Sequence, residues 1–464
     1  MSHNNKVTTV SQNNRNKLFQ GMLFLLLLMG MGIVQKVNSG SPLSSNVSEQ
    51  ILNEDQQDVQ GKFLASRELE LKKVSKAKKI KSNKASEILF NDPSMKNKWG
   101  LKVMESNKAW QLTRGSRDIV VAVIDTGIDT KHKSLKNNLW VNKGEIGTDI
   151  HGADKRTNGK DDDGNGFVDD VHGWNFVGQN HELVDNHGHG THIAGIIGAE
   201  GGKGKVAGVS PNVSLMILKY YDPKAVGLNN LKNTVYALRY AISQGANIIN
   251  YSGGGLEPSK EEKEAIQLAK KKGILVVAAA GNERSNSDVH SYYPADYNLD
   301  NIISVTAVDK GKSKNGSGGN ILSSSNFGKK TVDIAAPGNN IESTVPGGGT
   351  NVMTGTSQAT AFVSGVAALV MANNRDLKAH QVIKILTQTG DLEPSLAGKT
   401  RYQRRINTYK ALTIVGQGLG VSGVVAQNEV GFNSESFSIQ KTKSRANRSI
   451  SSGFGAALLK NIKN

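Results

Sequence analysis

The chain has 464 residues, 37% hydrophobic and 21% charged, a globular composition with length for about two to four domains and no room for a polytopic membrane protein. Zero cysteines exclude a disulfide scaffold, a Cys-ligated zinc site and a thiol nucleophile; 51 glycines with 9 prolines and no Gly-X-Y period exclude a collagen-like architecture. The net charge of +17 divides into +4 over residues 1–39, +2 over 40–90, +7 over 91–415 and +4 over 416–464. Its densest cluster, Lys72, Lys73, Lys76, Lys78, Lys79, Lys81 and Lys84, has no interleaved aromatic to stack on bases. It reads as a solvated run, and nucleic acid is not an expected partner.

Arg15 and Lys17 precede an apolar run from Leu18 to Val34, with Ser39 and Gly40 just beyond. This order predicts a signal peptide over 1–39, and hence export to an extracellular or periplasmic location with no stable membrane anchoring after cleavage. A retained anchor is the alternative, since roughly 17 apolar residues are the lower limit for a span. Residues 40–90, polar and rich in Lys and Ser, read as a pro-segment or linker. From Trp99 the texture changes to short apolar runs separated by Gly, Asn and Asp. Ile119–Ile124, Leu215–Lys219, Asn247–Tyr251, Ile274–Ala279 and Ile302–Val308 are continuous enough for strands buried on both faces. Helical patterns at Asn230–Ser243, Pro258–Lys272, Thr356–Met371 and Leu377–Thr387 alternate with or follow them. The alternation predicts an α/β fold, a doubly wound parallel sheet, over residues 91–415. Residues 416–464, rich in Gly, Ser and Asn, form a C-terminal tail.

In open α/β sheets, ligands gather at the carboxyl ends of strands. Val121 to Ile124 delivers Asp125-Thr126-Gly127 to such an end; taken singly, that Asp is a cap or turn residue. Asn186-His187-Gly188-His189-Gly190-Thr191-His192 has three histidines in six residues but lacks the His-Glu-x-x-His spacing of a zinc protease. Gly355-Thr356-Ser357-Gln358-Ala359 sets a serine at the start of an apolar helix. A serine hydroxyl becomes a nucleophile when an imidazole takes its proton and a carboxylate holds that imidazole's tautomer. The chain order Asp, His, Ser is that of subtilisin.

Through Asp-Thr-Gly, His-Gly-Thr-His-x-Ala-Gly and Gly-Thr-Ser-x-Ala, the central ~320 residues resemble the subtilase family. The resemblance implies a three-layer α/β/α subtilisin-like fold, with Asp125 orienting, His189 as general base and acid, and Ser357 as nucleophile. His187 and His192 are then bystanders. It also implies that Asn282, at the end of the run Val276–Gly281, donates to the oxyanion together with the Ser357 N–H. Ser252, Gly253 and Gly254 resemble the family's substrate strand, where missing side chains would let an extended peptide approach the backbone. Two departures are Gln358 and Ala361, where the family usually has Met and Pro. A third is Ser134, where many members carry an Asp calcium ligand.

Residues 145–185 hold ten acids against three Lys or Arg. Within them, Asp161-Asp162-Asp163-Gly164-Asn165-Gly166-Phe167 has oxygen donors at positions 1, 3 and 5 and Gly at 6, the opening of an EF-hand-type loop. His172 stands at position 12, so the closing carboxylate is sought at Asp169 or Asp170. The expected ligands of a structural calcium are Asp161, Asp163, Asn165, Phe167 (through its carbonyl) and Asp170. The expected function is an exported serine endopeptidase acting on peptide or protein substrates, with small uncharged residues around Ser252–Gly255 and Ala278–Gly281 tolerating apolar side chains at the cleavage point. The alternatives are an inactive subtilase-like peptide-binding protein and a dedicated maturation protease or transpeptidase.

Overall fold

Strand β1 (Val120–Asp125) serves two cores at once. Val121 and Val123 join one apolar cluster and Ala122 and Ile124 join another, because successive side chains of a strand point to opposite faces. The same split runs through Leu215 and Ile217 against Met216 and Leu218, and through Leu275 and Val277 against Val276 and Ala278. Near-continuous apolar runs therefore mark a sheet covered on both sides. The computed structural model describes residues 98–202, 205–225, 229–311 and 319–416. The expected signal peptide, pro-segment and C-terminal tail lie outside the described residues.

The remaining strands are β2 (Gly173–Asn175), β3 (Ser214–Lys219), β4 (Ile248–Tyr251), β5 (Leu275–Ala279), β6 (Ile302–Val308), β7 (Ile334–Pro337), β8 (Ile341–Val345), β9 (Gly349–Met353), β10 (Asp391–Leu392) and β11 (Arg404–Arg405). The helices are α1 (Trp99–Val103), α2 (Ser106–Ala109), α3 (His189–Gly198), α4 (Asn230–Ser243), α5 (Lys260–Lys271), α6 (Thr356–Asn373), α7 (Ala379–Thr389) and α8 (Thr408–Gly416). The main sheet has the order β10-β11-β7-β6-β5-β4-β1-β3-β2, and every neighbouring pair is parallel except β10–β11. That antiparallel edge departs from the all-parallel expectation. Its two-residue strands are fixed by ion pairs from buried Arg405 to Asp391 and Glu393, and no apolar run announces them. β8 and β9 form a separate antiparallel hairpin.

Helices α4 and α5 cover one face and α3, α6, α7 and α8 the other, giving three layers. Local chemistry sets their ends. Asn229 caps α4 by accepting the Lys232 N–H (2.9 Å), and Ser259 caps α5 by accepting the Glu262 N–H (3.2 Å). Helix α6 is buried from Thr356 through Met371, as its apolar surround requires. The sheet order reverses around β1: β2 and β3 follow on one side, β4 to β7 on the other. A crevice at the carboxyl end of β1 is the binding place such a reversal creates.

Helix α6 approaches its neighbours closely at Gly365, where a Cβ would lie 2.5 Å from Val209 Cβ. Alanine has the better helix propensity by about 1 kcal/mol, yet Gly365→Ala is expected to destabilise by roughly 1–3 kcal/mol through overpacking. Urea unfolding of the two proteins checks the sign.

Candidate active site

Asp125 ends β1, 3% exposed, and its Oδ1 accepts the Thr126 N–H at 2.8 Å and sits 2.7 Å from His189 Nδ1. That contact fixes Nδ1 as the protonated nitrogen and leaves Nε2 free to take a proton. Burial opposes charge on His189, but the adjacent Asp125 carboxylate, its hydrogen bond and Asp185 together raise the imidazole above its ordinary value.

His189 opens α3, whose N-cap is Gly188 at φ 93°, a left-handed position that favours glycine. Gly188 has no side chain to cap the helix, and Asp185 supplies the missing acceptor. Its oxygens accept the Gly188 N–H (2.7 Å), the Thr191 N–H (2.9 Å) and the Thr191 and Thr126 hydroxyls (2.7 and 2.8 Å). Burial pushes the Asp185 carboxyl up, yet these donors hold it below the usual range. The Thr126 hydroxyl in turn accepts the Gly190 N–H (2.9 Å), so Asp185 ties the end of β1 to the start of α3. The sequence reading missed Asp185; a carboxylate just ahead of a helix start was the available signal.

The two neighbouring histidines are bystanders. His192 Nε2 lies between the Ile341 and Asn351 carbonyls (2.9 and 3.2 Å), and burial pushes its value down to about 3. It clamps the β8–β9 hairpin to α3. His187 stacks edge-on with His189, ring centroids 6.2 Å apart, and is pushed down by burial and by His189.

The register pairing Ile124 with Tyr251 sets Ser252 beside Asp125. Ser357 Oγ, 4% exposed as a residue, donates to the Ser252 carbonyl at 3.0 Å, while Ser252 Oγ donates to the Ser357 carbonyl at 3.3 Å. The hydroxyl thus rests on the substrate strand rather than on His189, the loose arrangement common before substrate arrives. Asn282 Oδ1 accepts the Thr356 N–H (3.0 Å) and the Thr356 hydroxyl (3.2 Å). Both bonds hold Oδ1 toward Thr356 and leave Nδ2 as the donor atom of the amide. The Ser357 N–H lies in the first turn of α6, where helical N–H groups have no intrahelical acceptor.

The glycines of the expected substrate strand also lie close against the protein's own side chains. A Cβ on Gly253 would lie 3.0 Å from Tyr251 Cε2, and one on Gly254 3.0 Å from Tyr292 Cζ. Missing side chains make room for the protein's own tyrosines as well as for a peptide. Glu283 was also overlooked: its Oε2 accepts from Asn326 Nδ2 (2.8 Å) close to Gly281.

In the acidic segment, carboxylate oxygens of Asp161, Asp163 and Glu145 come within 4.8 Å of one another. Glu145 is fully buried, and its Oε2 has no hydrogen-bond partner among the described residues. Sequence spacing could not find it, because it lies sixteen residues before the loop. The Asp162 N–H donates to Glu145 Oε1 (2.8 Å) and ties it to the loop, while Asn142 donates to Asp163 (2.9 Å) and Asp170 (2.6 Å). Of the expected ligands, Asp161 and Asp163 join this cluster. Asn165 spends its Oδ1 on the Phe167 N–H (2.8 Å) and donates to Asp170 (3.0 Å); Asp170 also accepts from Tyr240 (2.5 Å). Asp170 is thereby held by Asn142, Asn165 and Tyr240, Glu145 stands beside Asp161 and Asp163, and the Phe167 ring packs on Trp174 and Tyr240. At Ser134 the hydroxyl accepts the Val206 N–H (3.1 Å).

The doubly wound sheet and its helices carry Asp125 at the end of β1, His189 at the start of α3 and Ser357 in the first turn of α6, in the chain order Asp, His, Ser. The profile of the Subtilase family matches residues 116–423. Subtilisin-like protease 1 of Plasmodium berghei (strain Anka) is 32% identical over 68% of this chain and 53% of its own length. The major intracellular serine protease of Bacillus subtilis (strain 168) is 36% identical over 58% of this chain and 74% of its own. The crystal structure of fervidolysin from Fervidobacterium pennivorans, a keratinolytic enzyme related to subtilisin, aligns with a TM-score of 0.56 at 27% identity, covering 70% of this chain and 46% of that one. The chain belongs to the subtilase family, and it spans about half the length of the Plasmodium relatives it matches.

Two outcomes follow from the geometry. Asn282→Ala removes the expected oxyanion donor and is expected to lower kcat by ~10²–10³ with the fold intact, a magnitude established on subtilisin itself. With neutral His189 as the expected base and its value raised, kcat/KM is expected to fall with decreasing pH along a limb centred above about 6.5; a limb below that value in a pH–rate profile would contradict the expectation.

Proposed function

We propose that this chain is an exported, calcium-stabilised serine endopeptidase acting on protein or peptide substrates. The 2.7 Å Asp125–His189 contact, with Ser357 Oγ on the Ser252 carbonyl and Asn282 bonded to the adjoining Thr356, is the observation that carries the reading. Ser357 Oγ attacks the scissile carbonyl as its proton passes to His189 Nε2. The developing oxyanion receives Asn282 Nδ2–H and the Ser357 N–H, at the positive end of the α6 dipole. Imidazolium, stabilised by Asp125, protonates the leaving amine. Water, deprotonated by the same nitrogen, then attacks the acyl ester; collapse breaks the Ser357–acyl bond and returns the proton to Oγ. The intact set of groups supports catalysis over peptide binding without cleavage.

Export is supported by the basic residues and apolar run at 15–34. Calcium is supported by Glu145 Oε2, a buried carboxylate oxygen without a donor beside two further carboxylates, which suits a hard cation that prefers oxygen. Asp161, Asp163 and Glu145 would hold it. When bound it neutralises their mutual repulsion and pins the 161–170 loop, away from the proton transfers.

The test is hydrolysis of casein by the purified protein and by Ser357→Ala, each with and without a calcium chelator. The parent is expected to cleave and Ser357→Ala not to, and chelation to lower the parent's melting temperature. Equal cleavage by both, or by neither when folded, overturns the protease reading. A melting temperature indifferent to chelation overturns the calcium.

A further inference from the structure

Strands β4 and β5 lie side by side, Tyr251 opposite Ala278, and the chain leaves them through two small-residue segments, Ser252–Gly255 and Ala279–Asn282. The residue before a scissile bond must put its carbonyl carbon at Ser357 Oγ, which rests on Ser252, and its oxygen at Asn282. Its side chain then enters the gap between the two segments.

That gap already holds a ring. A Cβ on Gly254 would overlap Tyr292 Cε1 and lie 3.0 Å from Cζ, while a Cβ on Gly281 would lie 3.0 Å from Tyr292 Cδ2. Cε1 and Cδ2 are opposite atoms of the phenol, so the ring reaches from one glycine to the other. Tyr292 is only 4% exposed. Its backbone is held, because its N–H donates to Asp296 Oδ2 (2.7 Å) and the next residue, Tyr293, exchanges both hydrogen bonds with Gly255 (2.8 and 2.9 Å). A ring fixed on both sides does not swing aside at small cost. Glu283, the acid nearest Gly281, is tied to Asn326 (2.8 Å).

We propose that Tyr292 determines specificity by closing the floor of this gap, so that the enzyme cleaves after Gly, Ala or Ser and rejects Phe, Leu, Lys and Arg there. This narrows the tolerance of apolar side chains expected from the glycine-rich lining, and it rests on the endopeptidase reading above. A large side chain has no space without displacing the ring, and such overpacking discriminates by about tenfold or more.

The experiment uses the purified full chain and two peptidyl diphenyl phosphonates that differ only in carrying Ala or Phe beside phosphorus. Intact-mass analysis follows modification of Ser357, with Ser357→Ala as control. The Ala reagent is expected to react at least ~10-fold faster. Tyr292→Phe, which keeps the ring, should preserve that ratio, and Tyr292→Gly should reverse it. Faster reaction of the Phe reagent with the parent overturns the proposal, as does an unchanged ratio in folded Tyr292→Gly or strict Lys or Arg preference in a peptide library. If Tyr292→Gly does not fold, the parent's ratio decides. A small alkyl fluorophosphonate, blind to the gap, separates the two levels: failure to modify Ser357 overturns the endopeptidase reading and the specificity with it.

Discussion

The hydrogen bond between Asp125 and His189 is the constraint on which the site depends. It joins the carboxyl end of a central strand to the first residue of a helix, two elements packed through one apolar cluster that holds Val121 and Val123 of β1 with Ile193 and Ile197 of α3. Nothing in a strand end and a helix start makes them meet within 2.7 Å unless both are pinned. Asp185 does the pinning, since its two oxygens collect donors from Thr126, Gly188 and Thr191. A buried carboxylate is costly without such donors; satisfied by these and by the His187 N–H (3.1 Å), it becomes a rigid bracket under His189.

The same logic extends to the nucleophile. Ser357 is held by reciprocal bonds with Ser252, in the segment that continues β4 next to β1, and Asn282 continues β5 and grips Thr356. Adjacent strands therefore present, in order, Asp125, the Ser252 carbonyl on which Ser357 rests, and Asn282. Parallel pairing puts all three carboxyl ends on one edge, which is why the chemistry collects there. Specificity enters through packing: the tyrosine that fills the space behind Gly254 and Gly281 belongs to the interior as much as to the site. The acidic loop stands apart. Its network of Asn142, Asn165 and Tyr240 orders carboxylates that would otherwise repel.

Much of this was legible in the sequence because catalytic motifs are local. Asp-Thr-Gly, His-Gly-Thr-His and Gly-Thr-Ser each carry a reactive group with the turn or helix start that presents it, and the apolar runs found the five central strands to within one residue. What stayed hidden depends on contacts across sequence. Glu145 stands beside Asp161 and Asp163 through the fold rather than through a spacing, its Oε1 accepting the Asp162 N–H (2.8 Å), so the EF-hand-type pattern does not point to it. Tyr292 meets Gly254 and Gly281 through space, and no periodicity links them. The short strands β10 and β11 lack any apolar run, being held by Arg405 and its acids.

The most direct test of this account replaces Asp125 by Asn and compares kcat on a peptide substrate, with the melting temperature as a check on folding. Asparagine occupies the same volume, but its amide N–H no longer matches the tautomer that the carboxylate imposes on His189. A fall of about 10⁴-fold in kcat, in a protein that melts near the parent temperature, is the predicted result. A folded variant retaining kcat within about tenfold would contradict the account, because orientation of His189 by Asp125 could then supply no more than about 1.4 kcal/mol of the barrier reduction.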